Sequence, residues 1–139
     1  MSAPALTALR VGDAITPLSR RVTQAQINAY AEASGDPNPI HTNEEFARAV
    51  GLPGTIAHGM LSIGILAEAV ARWAGGSERL TALGARFSRP LLPGDTLICS
   101  GRVIAVDEAS GVVSLAVEAV SDRGDSVLTN GRAQVRLDT

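Results

Sequence analysis

Asp36 and His41 bracket the stretch DPNPIH, in which two prolines stiffen the chain between a carboxylate and an imidazole. Side chains of these two types are the usual carriers of protons near neutral pH, and held around one water they could act as its base and acid. A second histidine, His58, follows in IAHGM. Two histidines and a carboxylate also make a conceivable set of metal ligands. Turn chemistry offers a plainer account, because Asp, Asn and Pro in Gly-Asp-Pro-Asn-Pro are what a surface turn uses. What sets this turn apart is its stiffness: Pro37 and Pro39 fix their own backbone angles and restrict Asp36 and Asn38 before them. Less entropy is then lost in holding acid and imidazole together.

The elements that must position this segment are written on either side of it. In RVTQAQINAYAEASG, Thr23 and Gln26 form a capping box, Val22 and Ile27 a hydrophobic staple, and Ile27, Tyr30, Ala31 and Ser34 recur at helical spacing up to Gly35. A second short helix is expected in TNEEFARAVG, capped by Thr42 and Glu45 and stopped by Gly51. A long helix then runs from about His58 to Ala74 and ends at Gly75 and Gly76. It is apolar almost all round, so it should be the buried centre of the fold, wrapped by a sheet. From Leu80 the period becomes two. Leu83, Ala85 and Phe87 share a face until Pro90; LLPGD makes a turn; DTLICSGRVIAV, VVSLAVEAVS and a last strand through Val135 follow, with Val127, Thr129, Gly131 and Ala133 on one face and Leu128 on the other. Short connections imply an antiparallel meander, and a further strand near Ala14 to Ser19 could join its edge.

The whole chain admits one domain, residues 1–139, since 139 residues with 45% hydrophobic content suffice for one core. Twelve basic and 14 acidic residues give a charge of −2, with no basic stripe and only 3% aromatics, which argues against a nucleic-acid partner. The single cysteine, Cys99, reads as a small core side chain in a strand. The apolar segment IAHGMLSIGILAEAVARWAG is long enough to suggest a membrane span, but Glu68 and Arg72, four apart, are paired charges that a lipid-facing helix would avoid. MSAPALTALRVGD shows no export signal, so a cytoplasmic protein is expected.

Taken together, YAEASGDPNPIHTNEEFARAVGLPGTIAHGML and the later ARFSRPLLPGDTL resemble the signature of the MaoC-like hydratases and dehydratases, over most of the chain from Val11. The resemblance implies an α+β hot dog fold, a long central helix wrapped by a curled antiparallel sheet. It also implies a dimer, with a second copy or another hot dog chain, and chemistry on acyl thioesters of coenzyme A or acyl carrier protein, with no cofactor and no metal. Carried over by position, it makes Asp36 and His41 the catalytic pair, holding a water for a trans-2-enoyl thioester or an (R)-3-hydroxyacyl product. The Gly59 N–H, at the start of the long helix, would receive the thioester oxygen. Asn38, Ser34 and His58 complete the candidate substrate-binding set, with bracing of the loop as the plainer role for the first two. The short dehydratase subunits of actinobacterial elongation look particularly similar, and a hot dog thioesterase or a non-catalytic subunit is the alternative from another class. Arg86 and Arg89, flanking Phe87, are candidates to reach the phosphates of the carrier arm.

Overall fold

The computed structural model describes residues 3–138. Helix α1, Gln24–Ser34, starts as its sequence requires: Thr23 Oγ1 accepts the Gln26 N–H, and Gln26 Oε1 accepts the Thr23 N–H in return. Val22 and Ile27 are both buried beside this cap. Gly35 ends the helix at φ 74°, a left-handed conformation that costs glycine little. Helix α2, Glu44–Ala49, begins one residue later than the sequence suggests. Its cap is Asn43, whose Oδ1 accepts the Phe46 N–H at 3.0 Å. Thr42 is taken up by the preceding turn, where the N–H groups of Thr42 and Asn43 both donate to the Pro39 carbonyl. Helix α3, Gly59–Ala74, follows His58 and closes at Gly75.

Five strands form one antiparallel sheet in the order β1-β3-β4-β5-β2: β1 is Leu18–Arg21, β2 Leu80–Phe87, β3 Thr96–Asp107, β4 Val112–Ser121 and β5 Ser126–Arg136. The β3-β4-β5 meander is as expected. The strand foreseen near Ala14 to Ser19 lies slightly later, as β1, with a single bridge from Ala14 to Arg102 ahead of it. β2 departs from the meander: it pairs with β5 at the far edge rather than with β3. The connection 88–95 therefore crosses the end of the sheet. Pro90 and Pro93 deny it ladder donors, and it is pinned instead by Ser88 N–H to Val127 O (3.0 Å) and Ala57 N–H to Leu91 O (2.8 Å).

Leu66, Val70 and Trp73 of α3 pack with Leu97, Val103 and Leu115 of the sheet into one core. The sheet covers only one side of the helix. Met60, Gly64 and Arg72 are exposed on the other side, and Ala67 and Ala71 are half-buried along a shallow groove reaching Leu80. The expectation of a helix buried all round thus holds for one face alone. A further departure lies in β5. The pairing of β5 slips against β4 between Val117 and Ala119, and against β2 between Gly84 and Arg86, where Asn130 adopts φ 51°. A one-residue slip turns the following side chains to the opposite face. Leu128 is accordingly buried beside Val127, while Phe87, at the end of β2, is 56% exposed with its ring against Gly59 at the start of α3. Among the described residues no helix is long and apolar enough to cross a membrane, and Glu68 is paired with both Arg20 (2.8 Å) and Arg72 (2.9 Å).

Candidate active site

The loop from Ser34 to His41 is a chain of short-range hydrogen bonds. Ser34 Oγ accepts the Asp36 N–H (3.3 Å), Asp36 Oδ1 accepts the Asn38 N–H (3.3 Å), and Asn38 Oδ1 accepts the Ile40 N–H (3.2 Å). These are the turns that Ser, Asp and Asn side chains make with backbone two residues on. Asn38 spends its side-chain oxygen and its carbonyl, which accepts the His41 N–H, on the loop itself. Ser34 lies on the wall of a cavity of about 650 Å³, together with Asp36, His41, His58 and Gly59. The sequence candidates therefore gather in one place, except Asn38, which is not on the wall.

His41 is buried, and its Nδ1 lies 2.8 Å from the Ile56 carbonyl oxygen. A carbonyl can only accept, so Nδ1 carries the proton, and in the neutral ring Nε2 keeps its lone pair. Asp36 remains exposed. One nitrogen or oxygen from each of Asp36, His41 and His58 lies within 4.8 Å of the others. Two groups that each bond one shared water at about 2.8 Å stand roughly 4.5 Å apart, so a cluster of this span is small enough for one water to bridge its members. A metal would need converging lone pairs. The His41 and His58 rings instead stack, centroids 3.7 Å apart and planes 21° apart, so their in-plane lone pairs run nearly side by side. His41 Nδ1 and His58 Nε2 already face the carbonyl oxygens of Ile56 and Asp36, the latter at 3.2 Å.

His58 also precedes the first turn of α3 without capping it through its side chain. The opening N–H groups of that helix thus keep the unpaired, partly positive character of a helix start. Gly59 is exposed there and has no Cβ; the ring of Phe87 fills the adjoining space, with Cε1 2.7 Å from where a Cβ would stand. Any acyl oxygen reaching these N–H groups does so alongside that ring.

Several supporting residues carry no local signal. Gln24, in the first turn of α1, donates from Nε2 to the His41 carbonyl (2.8 Å) and accepts from Thr55 Oγ1 (2.6 Å), joining the loop to the strand-like segment before α3. Its partners are remote in sequence. Glu44 accepts the Thr55 N–H (3.0 Å), and this bond, with Arg48, holds its carboxyl below the ordinary 4.5. Tyr30 tilts against His58, ring centroids 4.8 Å apart; its place on the face that ends at Ser34 was the available hint.

The architecture recurs in known proteins. The family model described as the MaoC like domain matches residues 8–122. The chain is 33% identical to 3-hydroxyacyl-thioester dehydratase Y of Mycobacterium tuberculosis over 66% of its own length and 34% of the relative's. It superposes on an (R)-hydratase from A. caviae, described as involved in PHA biosynthesis, with a TM-score of 0.85 at 27% identity, covering 94% of this chain and 98% of that one. On a chain of the ChsH1-ChsH2 complex from Mycobacterium tuberculosis the TM-score is 0.82 at 25% identity, covering 93% and 98%. The chain spans only 5% to 37% of the length of the first curated relatives it matches. A match over most of the sequence, joined to a shared hot dog architecture, places this chain in the MaoC-like domain family.

Proposed function

We propose that the protein is a hydro-lyase, adding water to trans-2-enoyl thioesters or removing it from (R)-3-hydroxyacyl thioesters. The observation that carries this reading is the gathering of Asp36 and His41 in one cluster small enough for a shared water, beside the uncapped start of α3. In hydration, an O–H bond of the water breaks as its oxygen bonds C3 of the enoyl group. The released proton goes to the pair, and a proton from the pair goes to C2. His41 is ready to accept at Nε2 because its Nδ1 proton is committed to Ile56. The two groups share one water, so base and acid roles exchange with direction. Charge that develops on the thioester oxygen is met by the Gly59 N–H, a type of donor worth about 3 kcal/mol of barrier. The names of the relatives, a thioester dehydratase and an (R)-hydratase, support the reaction class.

The decisive measurement is hydration of crotonyl-CoA, followed by loss of the conjugated-thioester absorbance. Asp36→Asn and His41→Ala are each expected to lower kcat by about 10²- to 10⁴-fold. Wild-type rates in both variants overturn the assignment, and release of free thiol instead of hydration points to a thioesterase.

A second reading concerns assembly. The uncovered groove on α3 and the open edge of β2 favour a second hot dog chain, identical or not, as in the complex of ChsH1 with ChsH2. In that reading the protein is the catalytic subunit of a 3-hydroxyacyl carrier-protein dehydratase. Purified protein that is inactive alone and gains activity with a second hot dog chain supports it; full activity as a monomer sinks it.

A further inference from the structure

The sequence offers two arginines, Arg86 and Arg89, beside the proposed thioester site, and the structure separates them. Arg86 lies in β2, paired in register with Thr129, and is not on the cavity wall. Arg89 lies on that wall, in the segment that crosses from β2 to β3. Its backbone is held from both sides. The Ser88 N–H donates to Val127 O and the Ser88 and Thr129 hydroxyls bond at 2.6 Å, while Pro90 follows and Leu91 O accepts the Ala57 N–H. A solvated cation on so fixed a base is available to an anion that enters the cavity. Among the described residues Arg89 has no carboxylate partner, as is also true of Arg10, Arg21, Arg86, Arg102, Arg132 and Arg136, but of these only Arg89 lies on the cavity wall. The carboxylate that shares its cavity, Asp36, is engaged with the Asn38 N–H and is assigned to the chemistry. Arg89 is exposed, so it stands where the cavity opens to solvent.

We propose that Arg89 binds a phosphate of the arm that carries the acyl group. This deepens the hydro-lyase reading and rests on it. The arm of coenzyme A and the prosthetic arm of an acyl carrier protein share a phosphate at the end of pantetheine, and a guanidinium recognises that group with paired, charge-assisted hydrogen bonds. A substrate with the thioester but no phosphate should not register Arg89 at all.

The test compares crotonyl-CoA, crotonyl carrier protein and crotonyl-pantetheine, the last having no phosphate, on wild type, Arg89→Gln and Arg86→Gln. Arg89→Gln is expected to lower kcat/KM for the phosphate-bearing substrates by roughly ten- to a hundredfold, mostly through KM, and to leave crotonyl-pantetheine unchanged. Arg86→Gln should change none of the three. A loss on the carrier-protein substrate alone assigns the contact to that source, and a loss on the CoA substrate alone to coenzyme A. Equal losses on all three substrates, or no loss on any, overturn the proposal. Calorimetric binding of coenzyme A and of pantetheine to the same variants separates this proposal from the catalytic one. If wild type turns over no substrate, either alone or with a second hot dog chain, the hydro-lyase reading fails. Arg89 is still supported by coenzyme A binding that weakens in Arg89→Gln, and refuted if that binding does not change or is absent.

Discussion

At the scale of the residue, Gly59 matters for the space it leaves. A Cβ there would meet the far end of the Phe87 side chain, which is largely exposed and free to swing. Gly59→Ala is therefore expected to keep its melting temperature, since alanine suits a helix better than glycine. The displaced ring would crowd the opening N–H groups of α3, so kcat/KM should fall by about tenfold or more. Phe87→Ala in the same chain should restore part of it. Rates and thermal melts on the two variants check this, and an unstable Gly59→Ala would move the cause from the site to the fold. Cys99 gives a contrasting case. Burial pushes its thiol up to about 12, with nearby Glu68 adding to the effect. The thiolate is the reactive form, so the folded protein should resist maleimide at neutral pH and react only once denaturant unfolds it. Labelling at the native rate of an exposed thiol would contradict the burial.

Among the elements, α3 is fixed to β1 by charge. The Glu68 carboxyl is held below the ordinary 4.5, first by the hydrogen bond from Arg20 and against partial burial, with Arg72 adding its own bond. A carboxyl whose pKa is depressed on folding stabilises above its unfolded value, and loses that contribution as pH falls through its folded value. Glu68→Gln should thus lower stability at pH 7, by less than about 1 kcal/mol because the pair is partly solvated. The gap from wild type should close as pH drops below 4.5 in denaturant titrations. A gap that persists at low pH would mean packing, not charge, is responsible. The ends of α1 and α3 were legible because their signals are local: Thr23 with Gln26, then Gly35, and Gly75 after Ala74. The start of α2 lies one residue beyond the Thr42 cap that the sequence suggests because the competing bond, from Thr42 to Pro39, belongs to the turn that carries His41. The pairing of β2 with β5, and the slip at Asn130 that buries Leu128, depend on strands far apart in sequence, and no local period encodes them. In the site, SGDPNPIH and AHGM marked the residues that meet, but the stacking of His58 on His41 comes from two turns folding together and had no sequence pattern.

For the whole molecule, the arrangement resembles a sandwich left open on one side. One face of α3 fills the core, while the other keeps Gly64, Ala67 and Ala71 along a groove. That asymmetry explains a helix whose sequence is apolar nearly all round although a single chain covers only half of it, and it is why a second hot dog chain was proposed. The same economy runs through the site, where one glutamine amide joins three segments: Gln24 in α1, the His41 carbonyl and the Thr55 hydroxyl. The consequence concerns heat. A turn tied in this way to the start of a helix is expected to loosen only with its surroundings, so on warming, turnover and circular dichroism should fade at one temperature. In Gln24→Leu they should part company, with turnover vanishing several degrees first and returning on cooling, as an enzyme falls silent before it melts.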